Sequence, residues 1–210
     1  MDQGIKVILF DLGNVLVDLD YSIAAKRIAY FCNKDPREII SFLLGSKITN
    51  LFEEGKIAPE DFFFQVKDML GLSISYAKFV PIWNEIFFLS AKNRSVYSLA
   101  NKLRNNYKIA VLSNINVLHY GYIKKHIPVL GIFDKVFASC EMKLIKPDHK
   151  IYNQALKILG VKSEEVFYTD DREDLVKSAS ELGINSFIFT DSRKLKTDLI
   201  NMACLPAGKE

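Results

Sequence analysis

From Asn93 onward, segments with helically spaced apolar residues alternate with short, almost unbroken apolar runs. Asn93–Arg104 reads as a helix, Tyr107–Leu112 as a buried strand, and a helix-forming stretch follows to about His126. Lys135–Ala138 is strand-like, Lys150–Leu159 helical and Val166–Tyr168 strand-like. Leu175–Leu182 is an amphipathic helix stopped by Gly183, and Asn185–Phe189 is the last strand. Such alternation predicts parallel strands joined by crossover helices. The run Lys6–Phe10 belongs with the same strands.

Between about Tyr21 and Leu89 the texture changes. Four helical pieces are expected, at Ser22–Phe31, Pro36–Leu44, Pro59–Leu70 and Ser75–Phe87, with no strand among them. Asp35-Pro36 and Ala58-Pro59 read as helix starts with proline at the first helical position, and Gly71 as a stop. A helical block spliced after the first strand of an α/β unit is an insertion rather than a tandem domain. The expected organisation is an α/β core of residues 1–19 and 90–210, a doubly wound parallel sheet, with a helical cap at 20–89. The tail Pro206–Glu210 is expected to fray.

At 210 residues the chain is long enough for one sizeable core plus an insertion. A net charge of +3, with no basic stripe among its 24 Phe and Tyr residues, argues against nucleic acid as a partner. Membrane is disfavoured too, because no window of 18 apolar residues exists; Phe79–Leu89 is broken by Pro81, Asn84 and Glu85. Cys32, Cys140 and Cys204 lie far apart with no CxxC pair, which disfavours zinc and a disulfide framework. The start, Met-Asp-Gln-Gly, has neither the basic flank nor the apolar stretch of a signal peptide. A cytoplasmic protein, monomer or homodimer, is the expectation.

Four segments carry candidate chemistry. The first strand delivers Asp11 to its end, followed by Gly13 and Asn14, residues suited to a tight turn. Carboxyl ends of central strands are where open α/β sheets place their ligands. A second strand ends at Ser113-Asn114 where a helix is expected, an arrangement that suits phosphate; the plainer reading is a helix cap. Lys146 precedes Pro147, which holds it extended, and a point cation there suits a phosphoryl oxygen or a carboxylate. The fourth segment is Val166-Phe-Tyr-Thr-Asp170-Asp171-Arg-Glu-Asp174. Adjacent carboxylates ending an apolar strand are costly unless a cation or strong donors neutralise them, and hard oxygen ligands suit Mg²⁺. Asp174 has the spacing to return to that cluster, although any one of these acids could simply cap the next helix.

Taken in this order, the four segments resemble the haloacid-dehalogenase (HAD) superfamily of hydrolases over nearly the whole chain. The insertion resembles that superfamily's small helical cap. The resemblance implies a cleft between core and cap, with Asp11 as the nucleophile that takes a phosphoryl group and Ser113 and Lys146 holding the phosphate. It further implies Mg²⁺ held by Asp11, the Gly13 carbonyl, Asp170 and Asp171. Phosphoryl transfer asks mainly for in-line positioning and charge neutralisation, which these residue types supply.

Phosphatases of this superfamily usually carry a second Asp two residues after the nucleophile, as general acid and base; here that position is Gly13. Asp-Leu-Gly-Asn-Val resembles a branch typified by α-glucose-1-phosphate phosphatase, which also lacks that acid. Glu53-Glu54-Gly55-Lys56-Ile57 resembles the cap loop of the same branch, which makes Glu53, with Asn114, a candidate substrate contact. Asn14 cannot supply an acidic proton, and Asp18 is the candidate stand-in. The expected function is a Mg²⁺-dependent phosphatase for a small phosphorylated metabolite, a sugar phosphate. The alternatives are a 2-haloacid dehalogenase, which would leave Asp170-Asp171 unexplained, and a non-catalytic phosphate-binding or regulatory protein. His119, His126 and His149 read as surface or packing residues. Trp83 and Phe62-Phe63-Phe64 read as cap core or dimer contact.

Overall fold

The structure is a computed structural model that describes residues 4–44 and 46–206. The start Met1–Gln3 and the tail beyond Pro206 lie outside those residues. In chain order the elements are β1 (Val7–Phe10), β2 (Asp18–Leu19), α1 (Tyr21–Ala29), α2 (Pro36–Leu43), α3 (Lys47–Glu53), α4 (Pro59–Leu70) and α5 (Tyr76–Asn84). There follow β3 (Phe87–Phe88), α6 (Ala91–Leu103), β4 (Lys108–Ser113), α7 (Val117–His126), β5 (Lys135–Ala138) and α8 (Ser139–Met142). The chain closes with α9 (His149–Leu159), β6 (Val166–Asp170), α10 (Glu173–Ser180), β7 (Asn185–Ile188) and α11 (Ser192–Asn201).

Five strands form one parallel sheet in the order β5-β4-β1-β6-β7. The unbroken apolar runs have a direct physical cause: alternate residues of β1 point to opposite faces, and both faces are covered. Ile8 and Phe10 join Val111, Val96 and Leu199 on one side, while Val7 and Leu9 join Leu112, Tyr152 and Tyr168 on the other. The chain leaves β1 for β4 and β5 on one flank, then returns to β6 and β7 on the other. The reversal puts a crevice at the carboxyl ends of β4, β1 and β6.

The described residues between 21 and 84 form five helices around their own core, in which Phe52, Phe62, Phe63, Phe79 and Trp83 are buried. Phe52 stacks on Phe62 with centroids 4.3 Å apart. Of the Phe62–Phe64 run, the third ring faces outward. Proline at the first turn of α2 and α4 and Gly71 in the left-handed region after α4 start and stop these helices as their sequence predicts.

Several elements differ from the sequence expectation. The short helix α3 was not expected; Ser46 caps it, its side chain accepting from Thr49 N at 3.2 Å. The two-residue strands β2 and β3 pair antiparallel where the helical block joins the sheet, and are too short to show a period. The helix α11 follows the last strand, and α8 fills the turn after β5. Among the described residues, no helix is long and apolar enough to cross a membrane. All three cysteines are free.

Candidate active site

Asp11 follows β1 directly, its backbone N–H donating to Thr169 O of β6 at 2.9 Å, so the register of the central pair sets its position. Ser113 and Asp170 are the last residues of β4 and β6. One ligand atom each from Asp11, Asp170 and Asp171 lie within 4.8 Å of one another. Lys146, fully buried, reaches into this cluster from the loop before α9: its Nζ donates to Asp11 Oδ1 at 2.7 Å, Asp170 Oδ2 at 2.6 Å and Leu112 O at 3.0 Å. Tyr168 lies 3.1 Å from the same ammonium and hydrogen-bonds Asp170. The Lys146–Pro147 peptide bond is cis.

Burial alone would discharge Lys146, but the carboxylates of Asp11 and Asp170 outweigh it and keep the ammonium charged. Burial pushes the Asp11 carboxyl up to about 7; Lys146 opposes that rise, while Asp170 and Asp171 add to it. Asp171 is raised as well, by burial and by Asp170, against a hydrogen bond from Asn14 Nδ2 at 2.8 Å. One ammonium among three carboxylates, two of them buried and Asp171 half-buried, leaves an excess of negative charge. A hard divalent cation among their oxygens relieves it, so the donor set fits Mg²⁺.

Asn114 holds the lysine in place. Its amide donates to Lys146 O at 2.9 Å and its Oδ1 accepts from Lys146 N at 2.8 Å. Neither Ser113 nor Asn114 caps α7; that helix begins at Val117 and Asn116 caps it, accepting from His119 N at 3.0 Å. The helix therefore starts later than expected, and the Ser113 hydroxyl is left to the cleft. The acids after β6 are not caps of α10 either, whose N-cap is Arg172 without a side-chain bond. Asp174 does not return to the cluster: it is exposed and paired with Arg172 at 2.6 Å.

These residues line a cleft of about 410 Å³. Asp11, Gly13, Asn14, Ser113, Asn114, Lys146, Asp170 and Asp171 form its floor, and Tyr21, Leu43, Thr49, Asn50 and Glu53 of the helical block its opposite wall. Glu53, the candidate from the cap loop, thus shares one cleft with the acids. Thr49, Asn50, Tyr21 and Arg172 were not anticipated. The Ser46-x-x-Thr49 cap was the available signal for α3, but it gives no direction for the side chains that follow.

Asp18 is not a usable acid. It pairs with Lys92 at 2.7 Å and accepts from Asn93 at 3.2 Å; partial burial favours the neutral form, yet these hydrogen bonds hold its carboxyl below its usual value. His119 lines the cleft as a packing residue. It stacks on Trp83 at 4.8 Å, and its ring nitrogens face Asn116 Nδ2 and Trp83 O, both at 3.0 Å. His149 is exposed beside Glu181.

The family model described as haloacid dehalogenase-like hydrolase matches residues 8–189. A HAD family enzyme from Bacteroides thetaiotaomicron, solved in complex with magnesium and inorganic phosphate, superposes with a TM-score of 0.78 at 30% identity. The match covers 89% of this chain and 95% of that one. A HAD-like family hydrolase from Porphyromonas gingivalis gives a TM-score of 0.77 at 25% identity over 93% and 98% of the two chains. Among curated proteins, the D-ribitol-5-phosphate phosphatase of Bacteroides thetaiotaomicron is 26% identical over 189 residues, covering 87% of this chain and 91% of its own length. The sesquiterpene phosphatase of Aspergillus oryzae is 24% identical over 192 residues, with 89% and 91% covered.

Proposed function

The chain belongs to the haloacid dehalogenase-like hydrolase family, and from that premise we propose that it is a Mg²⁺-dependent phosphatase acting on a sugar phosphate. The observation that carries this reading is the convergence of Asp11, Asp170 and Asp171 around buried Lys146 at the carboxyl ends of β1, β4 and β6. A dehalogenase has no evident use for the second and third carboxylates, whereas a phosphatase uses them to hold a cation. The relatives named as phosphatases support the same choice.

In this reading residues 20–89 are the cap, and 1–19 with 90–210 the catalytic core. Asp11 is the nucleophile. Its carboxylate oxygen forms a bond to phosphorus as the ester oxygen leaves on the opposite side, and water then cleaves the aspartyl-phosphate. Lys146 aims Asp11 through Oδ1 and presents its charge to the phosphoryl oxygens; Ser113 contributes its hydroxyl. With its amide engaged by Lys146, Asn114 meets the phosphate through its main chain. Asp11, the Gly13 carbonyl, Asp170 and Asp171 would hold Mg²⁺, which supplies charge that keeps Asp11 ionised and offsets its repulsion from the phosphate. Thr49, Asn50 and Glu53 suit sugar hydroxyls, and Leu19, Leu43 and Phe87 the carbon face of a ring.

The test is hydrolysis of p-nitrophenyl phosphate with and without Mg²⁺, followed by a screen of phosphorylated metabolites. Mg²⁺-dependent turnover with a sugar phosphate among the best substrates is expected. Turnover that survives exhaustive chelation, or none at all with Mg²⁺ present, would overturn the reading.

A further inference from the structure

A phosphatase that works through Asp11 has to protonate the departing oxygen, and the usual position for that acid is glycine. The structure shows why a side chain is not simply missing there: a Cβ at Gly13 would lie 3.1 Å from Leu19 Cδ2, so Leu19 occupies the start of that space. In-line attack from Asp11 sends the leaving oxygen away from the β1 end, toward the wall made by the helical block.

On that wall Glu53 is the last residue of α3, and its backbone is fastened to the core rather than left on a swinging loop. Ser139 Oγ donates to Glu53 O at 2.6 Å, and Lys143 Nζ donates to Gly55 O at 2.5 Å. Gly55 sits at φ 67°, where a Cβ would strike Cys140 O at 2.2 Å; only glycine lets the loop come this close. Among the described residues the Glu53 carboxyl has no hydrogen-bond partner, although it lines the cleft.

The other side chains there are either engaged or unable to give a proton near neutrality. Asp18 is paired with Lys92, both His119 nitrogens are bonded, and Asn14 has only an amide to offer. Tyr168 bonds Asp170, and burial raises the Tyr21 phenol above its ordinary range. We propose that Glu53 is the general acid and base of this reaction, delivering from the cap the proton that the residue after Leu12 cannot. The proposal rests on the phosphatase reading.

In the first half-reaction Asp11 Oδ bonds to phosphorus, the phosphorus–ester oxygen bond breaks, and the Glu53 proton passes to that oxygen, releasing the alcohol and leaving a carboxylate. In the second, Glu53 takes a proton from the attacking water, the phosphorus–Asp11 bond breaks, and inorganic phosphate leaves with Glu53 protonated again. The side chain is suited to the task. Burial pushes its carboxyl up to about 7, against the opposing charges of Arg172 and Lys146, so both forms are populated near neutrality. Tyr21 of α1 also interacts with it, Asp11, Asp170 and Asp171 line the same cleft, and Lys143 reaches the Gly55 carbonyl two positions along.

The experiment compares wild type with Glu53→Gln, which keeps shape and removes the proton. Substrates are substituted phenyl phosphates, from p-nitrophenyl, whose phenolate leaves unaided, to p-methoxyphenyl, which benefits from protonation. The parameter is kcat/KM, which ends at release of the phenol. Glu53→Gln is expected to lose about 10²-fold or more on p-methoxyphenyl phosphate and about tenfold or less on p-nitrophenyl phosphate, steepening the leaving-group dependence. Wild-type kcat/KM on p-methoxyphenyl phosphate should fall above pH about 7, and Glu53→Gln should lack that limb. An equal loss on every ester, or a wild type without that limb, makes Glu53 a substrate contact and overturns the proposal alone. No turnover of any ester by wild type with Mg²⁺ overturns the phosphatase reading and this one with it.

Discussion

The sheet and the helical block build the two walls of one cleft from different materials. The sheet wall is aliphatic strand ending in charge: four apolar residues of β1, then Asp11; five buried residues of β6, the last of them Asp170. The helical wall is aromatic core with neutral polar groups and one lone carboxyl on its inner surface. The sheet holds its acids through backbone ladders on both sides of β1, which fix the register of the strand ends. The block is tied down by side-chain clasps: Ser139 to Glu53, Lys143 to Gly55, and His119 to Trp83 O. A rigid floor suits the chemistry common to all phosphate esters. A wall with its own aromatic core can change its contacts with the leaving group without disturbing that floor.

The sharpest way to break the contrast is on the floor. Asp11→Asn removes the carboxylate proposed above as the nucleophile, so turnover should fall about 10³-fold or more while the circular dichroism spectrum stays native. Retention of a tenth of the wild-type rate in protein free of contaminating phosphatase would refute the assignment. Chelation should silence the wild type to a similar degree, with Mg²⁺ restoring the rate.

The equivalent blow to the wall is Trp83→Ala. Trp83 is fully buried, in contact with Phe62, Phe79 and His119, and its loss should cost about 3–5 kcal/mol of stability in denaturant titrations. The damage should register first as unfolding of the helical block, and a loss below about 1 kcal/mol would show that this stack does not support the wall.

A pH titration of stability probes the seam between the two regions. Burial pushes the His119 imidazole down to about 4 from 6.5, against the hydrogen bond to Trp83 O, which favours the protonated form. Between those values the unfolded chain binds the proton that the folded chain refuses. The contribution is therefore complete above pH 6.5 and lost as pH falls toward 4. At about 1.36 kcal/mol per pH unit it amounts to at most about 3 kcal/mol. Wild type should lose that increment relative to His119→Gln over this window; parallel curves would place the imidazole in water.

The smallest expected effect concerns the leaving group. Without any acid, hexose 1-phosphates should be clearly better substrates than 6-phosphates, since their anomeric oxygen leaves more easily. With Glu53 protonating the departing oxygen, the preference should shrink to about tenfold or less in wild type and widen in Glu53→Gln. Gly13→Asp has to displace Leu19, so by itself it should change these rates by less than about tenfold.

Strand ends were legible in the chain because burial on both faces demands an unbroken apolar run, and a carboxylate that interrupts one stands out: Asp11 after Phe10, Asp170-Asp171 after Tyr168. Helix starts at Pro36 and Pro59 and the stop at Gly71 were legible too, because they depend only on local dihedrals. The rest depended on neighbours distant in sequence. Whether Ser113 caps a helix or faces the cleft turned on where α7 begins, and whether Asp174 joins the acids turned on Arg172. Whether Asp18, the stand-in acid the sequence offers, is available turned on Lys92, which pairs with it from 74 positions along the chain. Sequence by itself determined which residues carry charge and that strand ends present them, since both are local properties. Tertiary structure alone decided which of those charges share a cleft and which are neutralised, because pairing and burial are set by residues that only folding brings together.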